Sequence, residues 1–290
     1  MKPCLRGVGR GILRLAVRLP LIALLACTLL LLAPGLDSDE RSLDPRLSSS
    51  SVAALRAAHK EMRNPFVICT RYFAGMARGD LGKSTTYGAP VLELVRDRWP
   101  ASCRSVLEGL AGGWFLAAAA AAWLMLFRSR AASSGVAAVA TVLLCIPSAL
   151  LGLIAMLAGG PVSGALAAVI FPRVYQYTDR VLLHAARAPH VVSAAAAGVN
   201  RWRLFWFFCL PPALPELIAV AASSVAVALA SLVPLEVVCD SPGLGQLAWK
   251  ATLGRDLPLL LSVTLAMAAA SNLCSSVADT AVEALHRRTA

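Results

Sequence analysis

The stretch Ala77-Arg78-Gly79-Asp80-Leu81-Gly82-Lys83-Ser84 comes closest to a chemical motif in this chain. It nearly spells Gly, four residues, Gly-Lys-Ser/Thr, the loop that cradles nucleotide phosphates. Ala77 stands where the first glycine belongs, no apolar strand precedes it, and no acidic strand end follows. A phosphate cradle needs strand, loop and helix in that order, so nucleotide binding is not expected here. The four histidines, His59, His184, His190 and His286, show no metal-ligand spacing. The eight cysteines are dispersed with no Cys-x-x-Cys pair, which argues against a zinc or redox site. No His-Glu-x-x-His, Gly-x-Ser-x-Gly or deep carboxylate pair supplies the polar groups an intramembrane enzyme would need. What remains are charged residues in or near apolar runs: Arg173, Glu236, Arg255 and Asp256, with Asp179 and Arg180 read as a structural pair near a span boundary. Such residues are expensive in lipid and mark function by default.

The elements that position them are membrane helices. The 290-residue chain is 58% hydrophobic and 15% charged, with a mean hydropathy of +0.69. Repeated runs of about 20 apolar residues imply membrane spans. A backbone crossing lipid must satisfy its own hydrogen bonds, so an all-α polytopic fold is expected. About six spans are expected, near residues 12–34, 105–127, 134–158, 161–180, 214–238 and 257–281. The Arg-rich N-terminus, Arg128, Arg130, Arg187–Arg203 and Arg287/Arg288 all fall on one side of that layout. The positive-inside rule then puts both termini in the cytoplasm and reads the net charge of +11 as membrane anchoring rather than nucleic-acid binding. Leu24-Leu25-Ala26-Cys27 resembles a lipoprotein cleavage box, but the apolar run continues past it, so residues 1–34 are read as a tail and an uncleaved first span. Residues 35–104 form the one sizeable soluble segment, with a Ser-rich start and a short helical pattern near Val52–Met62. Cys69, Cys103 and Cys239 fall at or near the outer interface, where a disulfide is permitted by compartment and unsupported by spacing. Residues 105–290 hold the other spans.

Two loops carry patterned residues. The first, residues 187–212, runs from Arg187-Ala-Pro-His190 through Ser193-Ala194-Ala195-Ala196-Ala197-Gly198 to Arg201-Trp202-Arg203 and Leu210-Pro211-Pro212-Ala213-Leu214-Pro215. Ala194 and Ala196 allow close approach of a partner, and Gly198 permits a φ > 0 chain reversal. Arg201, Trp202, Arg203, Phe205, Trp206 and Phe207 make an amphipathic second piece suited to a membrane interface. A plain interfacial loop is the alternative from these residues alone. The second pattern is Glu236, five residues, Pro242-Gly243-Leu244-Gly245, then Arg255-Asp256-Leu257-Pro258. Pro-Gly fixes a tight turn, and a short helix at Leu247–Leu253 can follow it.

The order and spacing of these residues resemble the inner-membrane permease subunit of an ABC importer, in the dipeptide/oligopeptide/nickel branch. That family carries a cytoplasmic Glu-Ala-Ala, three residues, Gly loop that inserts into a groove of the ATPase. Here the small residues and Gly198 are kept, while Val192, Ala195 and Ala197 replace basic residues of the branch. Gly79-Asp80-Leu81-Gly82 with Pro90-Val91 and Arg98-Trp99-Pro100, and Pro147-Ser148 with Gly152-Leu153, resemble further family runs. The link at Gly159-Gly160-Pro161 is shorter than the branch pattern.

The resemblance implies a pore-forming transport subunit, not an enzyme, in the bacterial inner membrane. It would bind no cofactor itself; ATP and Mg would be used by partner ATPase subunits. The implied partners are a second permease, identical or homologous, two cytosolic ATPases docked on Ser193–Arg203, and an extracytoplasmic solute-binding protein on the 35–104 and 239–256 surfaces. The solute is a small molecule, with peptide first and nickel or others open. Two readings of Arg173 follow: it faces a watery pathway and meets a peptide carboxylate, or it pairs with a neighbouring carboxylate or sits at a polar span edge. Glu236 either guards the pathway mouth or anchors the outer turn. A degenerate, non-transporting membrane scaffold and an intramembrane enzyme are the alternative functions.

Overall fold

Pro147 decides the course of the chain between its second and fourth expected spans. The computed structural model describes residues 18–25, 28, 65–127 and 130–289. Among them the backbone is helical throughout, apart from turns and one isolated bridge between Lys83 and Pro90. The helices are α1 (Pro65–Ala77), α2 (Val91–Phe127), α3 (Arg130–Cys145), α4 (Ser148–Leu157), α5 (Val162–Ala186), α6 (Pro189–Ala196), α7 (Arg201–Arg203), α8 (Leu210–Val238), α9 (Leu244–Leu253) and α10 (Leu257–Thr289). Residues 18–25 are helical as well. The rest of the expected first span, the pattern near Val52–Met62, and residues 35–64 generally lie outside the described residues.

Among the described residues, three helices are long and apolar enough to cross a membrane: Val91–Leu124, Arg201–Val238 and Leu257–Ala284. The expected third span, 134–158, is not one helix. It breaks into α3 and α4, bent by 101°. Pro147 has no N–H to continue the ladder and holds ψ at 141°, and a proline disfavours helix in the residue before it. Counted as one broken span, the pair brings the total to four. The expected fourth span is the 25-residue α5, whose Arg173, Gln176, Asp179 and Arg180 keep it out of that apolar set. Pro172 lies inside α5 without ending it. The expected boundaries also shift. Helix α2 starts at Val91, so Arg98-Trp99-Pro100 is helical, and α10 continues to Thr289.

The chain divides into two compact units. One draws on Arg98–Leu247 and the end of α10. Its core is built on α5, whose Leu166, Ile170, Val174, Tyr175 and Leu182 are buried along one helical face. Gly109 and Gly113 of α2 press on that face. A Cβ at Gly109 would lie 2.8 Å from the Cβ of Leu166, and one at Gly113 would lie 2.9 Å from that of Ile170. Both pairs are four residues apart, so the α2 glycines form a groove for an α5 ridge. Without water to drive apolar burial, such close backbone approach is what holds membrane helices together.

The other unit draws on Leu13–Asp97 and on Ala248–Ala269. Here Ala23, Leu261 and Leu265 are buried together, with Tyr72 and Phe73 packed against them. The Tyr72 hydroxyl is 2.7 Å from the Ser262 hydroxyl.

Candidate functional site

The 187–212 loop is a helix, a left-handed turn and a second helix, as expected from its glycine. Pro189 starts α6, where its missing N–H costs nothing. Val191 is 2% exposed and ties α6 to the core. The end of α6 closes with two reversed bonds, Gly198 N to Ala195 O at 3.1 Å and Val199 N to Ala194 O at 3.2 Å. This is a Schellman turn, and Gly198 occupies its left-handed position at φ +83°. Asn200 then caps the next helix, accepting the Trp202 amide at 3.3 Å. Ser193 and Ala196 are exposed and Ala194 half-buried, while Arg201, Trp202 and Arg203 face outward. The Ser193 hydroxyl is turned back onto Pro189 O at 2.7 Å.

Beyond Arg203 the structure departs from the sequence expectation. The helix does not wait for residue 214 but runs unbroken from Arg201 to Val238. Leu204–Cys209 is wound as a π-helix, with Leu210 N donating to Phe205 O, five residues back. Pro211 and Pro212 are the cause available in the sequence. Neither can donate to the carbonyls of Phe207 and Phe208, and their rings need the room that a wider turn gives. The double proline was the signal that could have located this feature.

On the other pattern, the structure explains each residue. Helix α9 opens at Leu244, and its first amides have no helical partner of their own. Leu244 N donates to Ser102 Oγ at 2.7 Å, and Gly245 N and Gln246 N donate to Glu236 Oε2 at 2.7 and 3.3 Å. Ser102 Oγ in turn donates to Glu236 Oε1 at 2.7 Å. Glu236 is fully buried and its bonds go to the turn. An anion at a helix N-terminus is favoured by the aligned peptide dipoles. Gly243 rests directly on the carboxylate, so a side chain there would strike Glu236. A Cβ at Gly245 would lie 2.7 Å from Val233 Cα. Pro242 is exposed at the tip of the turn. Around this cap, Arg98 donates to Gln246 Oε1 at 3.3 Å and Gln246 Nε2 donates to Asp240 Oδ1 at 2.6 Å. Nothing about a lone serine inside a helix marks Ser102 in the sequence.

Asp256 repeats the arrangement at the start of α10. It accepts Leu259 N at 3.2 Å and Thr86 N at 3.1 Å, and the buried Ser84 hydroxyl donates to it. The Asp256 side chain is fully buried. It thereby ties Arg255-Asp256-Leu257-Pro258 to the loop after Gly79-Asp80-Leu81-Gly82. In that loop Gly82 N donates to Asp80 Oδ1 at 2.8 Å, and Gly79 and Gly82 both hold φ at +80°. The glycine-lysine-serine run therefore leads into a bridged turn, not a helix N-terminus, and the Ser84 hydroxyl is committed to a carboxylate. Arg255, exposed, takes φ +52° in the turn that ends α9. A glycine would be usual there, but Gly254 stands one place earlier because any side chain would meet Thr86.

Arg173 is exposed on α5 and borders a groove shared with α8. Of the residues expected from the sequence, the structure brings together Glu236, Gly243 and Gly245, while Arg173 and the Ser193–Arg203 residues lie elsewhere on the same unit. Cys103 and Cys239 are free thiols, the latter donating to Gly152 O at 3.4 Å; the side chain of Cys69 lies outside the described residues. Among the described residues no cluster of metal-ligating side chains occurs.

Comparison with curated proteins returns no significant match. A family model described as "Binding-protein-dependent transport system inner membrane component" matches residues 109–290, from the α2 glycines through both patterned loops to the end of α10. The helices of membrane-crossing length agree with it. The chain belongs to this family and is an inner-membrane permease component of an ABC transporter, a multi-pass transport subunit.

Proposed function

We propose that this subunit forms half of the pathway of an importer in the dipeptide/oligopeptide/nickel branch, with peptide as its solute. The α6–Gly198–α7 turn docks on a separate ATPase, through Ser193, Ala194, Ala196, Gly198, Arg201 and Arg203. Two such ATPases use ATP and Mg, and a second permease, identical or homologous, completes the pore. An extracytoplasmic binding protein delivers solute to the 35–104 and 239–256 surfaces. Six spans with both termini cytoplasmic place the turn inside and the Pro242–Gly245 turn outside.

One observation carries the reading. The left-handed Gly198 turn joins the short α6 to the start of the long Arg201–Val238 helix, and the two present small and basic side chains to solvent. Such a turn is stiff enough to transmit displacement, and the α7 helix continues without a break into α8. ATP-driven movement of the turn would bias the pore between two states through this continuous helix.

The test has two parts. A pull-down of the tagged chain from its own membranes in mild detergent should recover a Walker-motif ATPase and a second permease-like chain. Recovery of the intact chain alone, under conditions that keep other membrane complexes together, would overturn the reading. Gly198→Val should abolish uptake at unchanged membrane levels, since a β-branched residue at φ +83° is strained while nothing lies within 4 Å to clash.

A further inference from the structure

Arg173 is a charged side chain that its own helix packing does not explain. It lies near the middle of the 25-residue α5. Among the described residues no carboxylate pairs with it and no hydrogen bond holds it. A guanidinium at such a position is retained only where water, a partner group or a ligand meets it. It borders a cavity of about 160 Å³ between α5 and α8, with Tyr177, Val220, Ser223, Ser224 and Val227. The polar groups there are not equivalent. Ser224 is buried, gives its one donor to Ala221 O at 2.7 Å and accepts the Trp114 indole N–H at 3.0 Å. Ser223 donates to Val220 O at 2.8 Å and keeps lone pairs open on its exposed side. Tyr177 is 56% exposed and offers a phenolic donor one helical turn from Arg173.

The groove therefore presents donors at Arg173 and Tyr177, an acceptor at Ser223, and an apolar wall from Val220 and Val227. A carboxylate answers the donors, with the guanidinium fork matching its two oxygens. An N–H beside that carboxylate answers the acceptor. The free C-terminus of a peptide carries both groups side by side. We propose that Arg173 and Tyr177 bind the C-terminal carboxylate of the transported peptide and that Ser223 accepts its last amide N–H. This rests on the peptide-importer reading above. It makes Arg173 a specificity residue: the pathway selects free-acid peptides over those with a blocked C-terminus.

The test compares uptake of an alanine dipeptide with that of its C-terminal amide, in cells carrying the complete transporter. Wild type should favour the free acid. Arg173→Gln should lower free-acid uptake about tenfold, the loss of one charge-assisted hydrogen bond, and lower amide uptake by less, so that the preference for the free acid shrinks. Arg173→Lys should restore part of the discrimination, because it keeps charge without the fork. Ser223→Ala should weaken uptake of both probes alike. Equal discrimination in wild type and Arg173→Gln would overturn the proposal while leaving the importer reading intact. Loss of both probes together with loss of the second permease from a pull-down would also overturn it, by assigning Arg173 to a carboxylate of the partner subunit. If wild type imports neither probe, the peptide reading itself falls and the proposal with it.

Discussion

Ser102 and Glu236 lie 134 residues apart, yet they share one hydrogen bond at 2.7 Å and together satisfy the opening of α9. Ser102 donates to the carboxylate and accepts from Leu244, while the carboxylate takes the next two amides. The pair acts as a helix cap assembled from two distant helices. Removing the serine hydroxyl leaves a buried N–H and one carboxylate oxygen without their partners. Ser102→Ala should cost about 1–3 kcal/mol, and Glu236→Ala should cost more because it strands two amides. Thermal unfolding of the purified protein in detergent checks both. The double variant should lose less than the sum, as expected for groups in one network; strict additivity would show that the two act independently.

Asp256 holds the 84–87 turn through Ser84 and the Thr86 amide. Asp256→Ala should free that turn and make it the first site of limited proteolysis in folded protein. Asp256→Asn keeps the shape and one acceptor oxygen, so it should show an intermediate rate. Unchanged cleavage in Asp256→Ala would mean the turn is held by its backbone bridge alone.

Gly113 sits on Ile170 with no room for a side chain. Gly113→Ala should destabilise by about 1–3 kcal/mol, the usual cost of overpacking. Combining it with Ile170→Ala should not rescue it, since alanine keeps the Cβ at 2.9 Å and the Ala167 carbonyl stays at 3.2 Å. Gly135, where an added Cβ meets nothing within 4 Å, is the control: Gly135→Ala should be neutral or mildly stabilising.

Pro211 and Pro212 impose the wide turn at Leu204–Cys209. Replacing both with alanine supplies the missing N–H groups and should let the segment wind as α-helix. That change would rotate the α6–α7 turn relative to α8 and should reduce uptake with the protein still at normal membrane levels. Accessibility of a cysteine placed at Trp206 or Phe207, both exposed, should change in step. Unaltered labelling would show that the π-turn has another cause.

Apolar composition was enough to point to an all-helical membrane protein, because lipid leaves the backbone few other choices. The Gly198 turn was legible for a similar reason: a left-handed helix end strongly favours glycine. Motif order in the outer loop pointed to a built structure but not to its content. There the tertiary structure decided. Whether Glu236 faces the pathway mouth or anchors the turn depends on where the α9 amides and Ser102 come to lie, and none of these is near it in a linear reading. The break at Pro147, the continuity through Pro172 and the π-turn before Pro211 show the same division. Each proline removes one donor, which the sequence states outright. Whether the helix ends, bends or widens depends on what the neighbouring helices can still satisfy and pack.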